Sequence, residues 1–130
     1  MRIRIACPES NAYEGEAAFV ALPSSDGECG VLPGHASEIC TAEAGVVRVC
    51  DATMGTVDHR FAVAGGYAEI TADEVVILAQ RACDLAEVDA DDARARLQEF
   101  EEQLSNLSAN DARRAYLYNE MAWLKLLLAA

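Results

Sequence analysis

The chain has 130 residues, a formal net charge of −12, 52% hydrophobic and 25% charged residues, which is the balance of one folded domain, or of a domain with a small appendage, and not of a disordered segment. Such acidity excludes binding to a phosphate backbone, which needs clustered Lys and Arg, and disfavours adhesion to anionic lipid, leaving a protein as the natural partner. The acidity is not a tail, because five of the ten basic and thirteen of the 22 acidic residues precede position 85.

Residues 1 to about 85 carry short strand patterns separated by closely spaced turn signals, the pattern of a β-sandwich or barrel. Arg2-Ile3-Arg4-Ile5-Ala6-Cys7 alternates, so Ile3, Ile5 and Cys7 face one way and the arginines the other, and Pro8 ends the strand. Strand sequence carrying Tyr13, Phe19, Val20 and Leu22 is expected over 12–22 with a bend or bulge at Gly15, followed by a turn cluster at Pro23-Ser24-Ser25-Asp26-Gly27. From Gly27 to His35 three glycines, a proline and a histidine occupy nine positions, which predicts a loop of specific shape instead of a strand. Glu38 to Thr41 and Val46 to Cys50 flank Gly45 as a hairpin, and Arg60 to Val63, Tyr67 to Thr71 and Val75 to Ala79 follow, giving eight to ten strands. Gly65-Gly66 marks a backbone position needing positive φ or a close strand approach.

After residue 85 the period changes to helical. Asp89 is placed to cap a helix, with Asp92 as a weak capping-box partner, and Ala93, Leu97, Phe100, Leu104 and Leu107 recur every three or four residues. Ser108-Ala109-Asn110-Asp111 stops this helix and caps a second one with Leu117, Met121, Leu124 and Leu128 on one seam. Two seams joined by a short polar link predict an antiparallel hairpin. Tyr116, Trp123 and Leu127 form a further apolar set that the partner helix alone does not cover. The expected fold class is therefore α+β, a sandwich of about ten strands over 1–86 followed by a two-helix hairpin over 87–130.

The loop and the cysteines are the candidates for chemistry in this chain. Cys29 and His35 would be a thiol and its base, but no third residue is identifiable to orient the histidine. Cys7, Cys29, Cys40, Cys50 and Cys83 have no C-x-x-C spacing, which fits small buried hydrophobes in a reducing compartment and no metal site. No Gly-Lys-Ser/Thr follows the glycines, so a phosphate cradle is not formed in the usual way. The acid pairs Asp91-Asp92 and Glu101-Glu102 are solvated helix faces. No apolar run reaches the ~20 residues of a transmembrane helix, so direct membrane insertion is not expected.

Taken in order, several segments resemble the epsilon subunit of F-type ATP synthases, called delta in mitochondria. Gly27-Glu28-Cys29-Gly30-Val31-Leu32-Pro33-Gly34-His35-Ala36 is similar to that family's Gly-acidic-x-Gly-aliphatic-aliphatic-Pro-Gly-His-Ala signature. Ala44 to Val49 resembles the strand entry after it, Phe61 to Ile70 the Gly-Gly-aromatic-x-Glu segment, and Val76-Ile77-Leu78-Ala79 with Val88-Asp89 the passage into the helices. The resemblance implies a ten-stranded sandwich and helical hairpin in the central stalk, a non-catalytic rotor subunit without a cofactor, joining gamma to the c ring on the cytoplasmic side of the membrane. It places Glu28, Cys29 and Gly30 toward the ring, and Cys7, His35 and Ala36 toward gamma. In relatives that bind ATP the first helix opens Asp-x-x-Arg-Ala. Here Asp92 stands where the arginine belongs and Cys83 replaces a nearby acid, so the resemblance implies no nucleotide site. An inhibitory role for the last helix among alpha and beta would draw on Arg113, Arg114, Tyr116, Trp123 and Lys125, with few cations for an electrostatic brake. Ser37-Glu38 departs from the family's Pro-Leu. The alternative is a stand-alone β-sandwich binding module for a ligand or a protein.

Overall fold

The computed structural model describes residues 1–129. The chain divides into two compact units, Met1–Ala86 and Glu87–Ala130, and each is described by itself.

In the first unit ten strands form two five-stranded sheets. They are β1 (Arg2–Cys7), β2 (Ser10–Glu16), β3 (Phe19–Ser24), β4 (Gly27–Val31), β5 (Glu38–Ala42), β6 (Gly45–Cys50), β7 (His59–Val63), β8 (Gly66–Ile70), β9 (Glu74–Ala79) and β10 (Ala82–Asp84). One sheet has the order β2-β1-β9-β8-β5 and the other β10-β7-β6-β3-β4. All pairings are antiparallel except β1 with β9, where Arg2 to Ala6 run beside Glu74 to Leu78. The expected alternation in β1 holds through Ile5, with Ile3 and Ile5 fully buried and Arg2 exposed, whereas Cys7, past a register shift at Ile5/Ala6, is half-buried and outside the core cluster. Facing Ile3 and Ile5 are Val20, Leu22, Val47, Val49, Phe61 and Val63 from the other sheet. Each fully buried Val, Leu, Ile or Phe side chain contributes about 1.5–3 kcal/mol of transfer free energy, so this cluster is the main source of the unit's stability.

Three local expectations are corrected. The segment over 12–22, expected to be interrupted at Gly15, is two strands, β2 and β3, separated instead at Ala17-Ala18, where Ala17 N–H bonds Met1 O at 2.8 Å and Ala18 N–H bonds Cys50 O at 2.7 Å. The first half of the expected Gly27–His35 loop is β4, an edge strand paired only with β3. Its glycines are tolerated because Gly27, at φ 108°, forms the turn, and because a Cβ on Gly30 would come within 3.0 Å of the Phe19 ring. Pro23 lies inside β3, beyond Ala21, the last residue that pairs with β6. On that side the strand is an edge, where a missing N–H donor costs little. Finally, β5 and β6 are not a hairpin: β5 pairs with β8, and β6 pairs with β3 and β7. Residues 43–44 carry the chain from one sheet to the other, held by Glu43 N–H to Pro23 O at 2.9 Å.

The two long edges of the sandwich are finished differently. At the β2 side, the Tyr13 ring packs at a tilt against Phe61 and His59 at centroid distances of 4.8 and 5.0 Å, and His59 Nε2 lies 2.9 Å from Asp51 Oδ2. Burial and the carboxylates of Asp51, Asp58 and Asp84 push the Tyr13 hydroxyl pKa up. The β5–β4 side has two half-buried cysteines instead, Cys40 and Cys29.

In the second unit α1 (Ala90–Ser105) begins as expected, with Asp89 Oδ1 accepting from Asp91 N–H at 3.0 Å and Asp92 N–H at 3.1 Å. Leu107 lies beyond the end of α1, whose seam buries Ala93 and half-buries Leu97, Phe100 and Leu104. α2 (Arg113–Ala129) packs against it with Leu117, Met121 and Leu124 buried and Leu128 half-buried.

Candidate docking surfaces

The outward face of the β5-containing sheet is built by strand register. Thr41 lies beside Tyr67, Tyr67 beside Leu78 and Leu78 beside Ala6, forming one row across four strands, with Ile39 two residues from Thr41 on the same face. The pleat turns this row away from the core, and Ile39 is 75%, Tyr67 61% and Leu78 54% exposed. Three large apolar side chains in one surface patch are what a protein interface presents. A shallow cavity of about 280 Å³ lies at one end of the row, against Cys7, Pro8, Tyr67 and Leu78.

Gly65-Gly66 makes this row possible. Gly65 has φ 110° and Gly66 φ 156°, and a Cβ on Gly66 would sit 1.9 Å from the carbonyl oxygen of Leu78. Positive φ and close strand approach therefore both require glycine at this pair.

Cys7 and His35 stand at opposite ends of the same sheet. Cys7 ends β1 at the β9 C-terminus, whereas the loop after β4 is tied to the turn before β9 through Gly34 N–H to Ala72 O at 2.8 Å. The loop is shaped by Gly34 at φ 84°, by His35 N–H to Leu32 O at 3.2 Å and by His35 Nδ1 lying 2.6 Å from Ala36 O. His35 is half-buried and Ala36 exposed. The two ends thus bracket the row of Ile39, Tyr67 and Leu78. The signal for Tyr67 was present in the Gly-Gly-aromatic motif, but that Leu78 and Ile39 join it is set by register and was not readable from composition.

The residues Glu28, Cys29 and Gly30 do not act as one surface. Glu28 is outward and ion-paired with Arg48, Gly30 is outward beneath Phe19, and Cys29 is turned into the sandwich against the core. The tip before them, Ser24 to Gly27, is closed by Ser24 Oγ–H to Gly27 O at 2.9 Å. Burial and the Glu38 carboxylate push the Cys29 thiol pKa up, opposite to what a nucleophile requires.

Cys83 lies on β10 opposite Ala62, with its thiol 3.5 Å from Asp84 O, and Asp92 sits exposed in the first turn of α1. Arg94, the nearest cation in α1, pairs with Asp91 at 2.6 Å. Asp89, Asp91 and Asp92 gather three carboxylates at the start of α1, a negative charge that opposes a polyphosphate there. In α2, Arg113 is bound to Asp111 by two contacts, 2.7 and 3.1 Å, which hold the Asp111 carboxyl at about 2 and raise the Arg113 pKa. Arg114 donates to Tyr118 Oη at 3.0 Å and lies 5.6 Å from its ring centroid. Tyr116 is 60% exposed, Lys125 is exposed and Trp123 half-buried.

A β-sandwich carrying an exposed apolar sheet face, followed by a helical hairpin, defines a docking subunit whose surfaces are its working parts. Residues 1–84 match the family described as the ATP synthase delta/epsilon chain, beta-sandwich domain. The chain is 38% identical over 115 residues to the ATP synthase epsilon chain of Desulfitobacterium hafniense, covering 88% of this chain and 85% of the relative. It is 32% identical over 130 residues to that of Hyphomonas neptunium, covering 100% and 95%. Among solved structures, a chain in the cryo-EM structure of Euglena gracilis mitochondrial ATP synthase superposes with a TM-score of 0.76 at 22% identity, covering 98% of this chain and 78% of that one. The chain belongs to the ATP synthase delta/epsilon family.

Proposed function

We propose that this chain is the central-stalk subunit that joins gamma to the c ring, coupling ion flow to ATP synthesis as a non-catalytic part of the rotor. The observation that carries this reading is the exposed row of Ile39, Tyr67 and Leu78, bracketed by Cys7 and by His35 with Ala36, in a chain of this family. Gamma is the partner for that face. Glu28 and the Ser24–Gly27 tip are the ring-facing group, with Cys29 supporting them from inside and Gly30 setting their backbone. The Glu28–Arg48 pair holds the carboxylate outward in this role. In this reading the chain is held on the cytoplasmic side through the ring; no helix among the described residues is long and apolar enough to cross a membrane.

The hairpin is proposed as a weak brake on ATP hydrolysis that contacts alpha and beta through Tyr116, Trp123 and Lys125. Arg113 and Arg114 are engaged within their own helix start, which lowers the electrostatic share of that contact.

The test is co-purification of the full chain with gamma. The wild-type chain is expected to form a stable complex, and Y67S combined with L78S to weaken it at least tenfold, about 1.4 kcal/mol, with unchanged circular dichroism. A folded monomer that ignores gamma would instead support a stand-alone binding module.

A further inference from the structure

The β4–β5 edge holds a pair of thiols, Cys29 beneath the proposed ring-facing group and Cys40 on the facing strand, whose sulfur chemistry the docking role does not use. Cys29, on β4, lies beside Leu22 of β3, a fully buried core residue, and Cys40, on β5, lies beside Ala68 of β8, equally buried. β4 and β5 are the end strands of opposite sheets, and β5 packs over β3. Both cysteines are half-buried, both pack against the same core cluster, and neither is in a disulfide. We propose that Cys29 and Cys40 are a redox-modifiable pair that forms a disulfide across the sandwich edge. The bond would close a loop containing Leu32 to Ala36, so that oxidation clamps the segment carrying His35.

The electrostatics agree with the placement. Each thiol is pushed above its ordinary pKa, mainly by burial, with Glu38 acting on both and Cys29 acting on Cys40. Glu38 is the charged group on their side of the strands. Glu28 with its partner Arg48 lies on the other face of β4, and Glu69, the partner of Ile39, lies on the other face of β8. Thiols held protonated are slow nucleophiles, so the pair is quiet in a reducing environment and reacts when an oxidant is supplied. With a hydroperoxide as oxidant, one thiolate attacks the O–O bond to give a sulfenic acid and a hydroxyl compound. The second thiol then displaces water from that sulfur, so two electrons reduce the peroxide and both thiol protons end on oxygen.

The experiment treats the full chain with hydrogen peroxide under native conditions and maps thiols after cleavage at glutamate. Cuts after Glu28, Glu38 and Glu43 place Cys29 and Cys40 in separate peptides. The expected result is a loss of two hydrogens and these two peptides joined, reversibly by dithiothreitol. E38Q is expected to speed the reaction about twofold, because the thiolate fraction rises more than its nucleophilicity falls. Amide exchange in residues 34–36 is expected to slow in the oxidised chain. Linkage through any other cysteine, or no linkage while other thiols oxidise, overturns the pair; C40S that still yields an intramolecular bond to Cys29 overturns it too. Unchanged exchange in 34–36 overturns the clamp.

Discussion

Gly66 is the residue whose chemistry is least negotiable. Its missing Cβ would lie 1.9 Å from the Leu78 carbonyl oxygen and its φ of 156° is one that L side chains rarely adopt. G66A must therefore part β8 from β9 or strain the backbone, at a cost of about 2–4 kcal/mol. Denaturant unfolding monitored by circular dichroism should show the midpoint fall with the slope unchanged. A loss within about 0.5 kcal/mol, the range of an ordinary surface change, would show that the strands part freely. Gly34, at φ 84° with nothing within 4 Å of its absent Cβ, is constrained by conformation alone, so its replacement tests backbone strain without a clash.

At the scale of elements, the start of α2 is set by one carboxylate. Asp111 accepts from Arg113 N–H at 2.9 Å and from its guanidinium, and its carboxyl titrates at about 2, below the usual 3.8. The folded pKa is depressed, so the ionised group favours the folded helix above pH 3.8, and this contribution is lost as pH falls from about 4 toward 2. Its partner Arg113 is exposed, so solvent screens the pair and the effect is small. A pH titration of helicity should show D111N less helical than wild type at pH 7, the two converging near pH 2. Parallel curves would mean that the pair does not support the helix start. Asp89 plays the matching role at α1, and there the cap was legible because an Asp preceded a seam at helical spacing.

For the whole molecule, the question is whether the hairpin regulates. Removing residues 110–130 leaves the strands and their core cluster untouched. In the assembled complex, this truncation is expected to raise ATP hydrolysis modestly, because Arg113 and Arg114 are already engaged and the remaining contact is apolar. An unchanged rate would remove inhibition from the reading and leave the stalk role intact. The truncated chain should still hold gamma, since the proposed face lies wholly within the first unit.

The sequence by itself determined the parts that local chemistry controls: the alternating β1, the change of period after residue 85, the Asp89 cap, and the glycine and histidine motifs that carry the family resemblance. Tertiary structure decided what depends on partners distant in the chain. Gly27 to Val31 became a strand because β3 supplies its ladder and Phe19 fills the space over Gly30. β5 left β6 for the opposite sheet because residues 43–44 cross between layers, a choice with no local signature. Cys29 turned inward for the same reason, since a strand's pleat fixes alternate faces only once its register is set. The row of Thr41, Tyr67, Leu78 and Ala6 gathers residues from four strands, and only pairing brings them together.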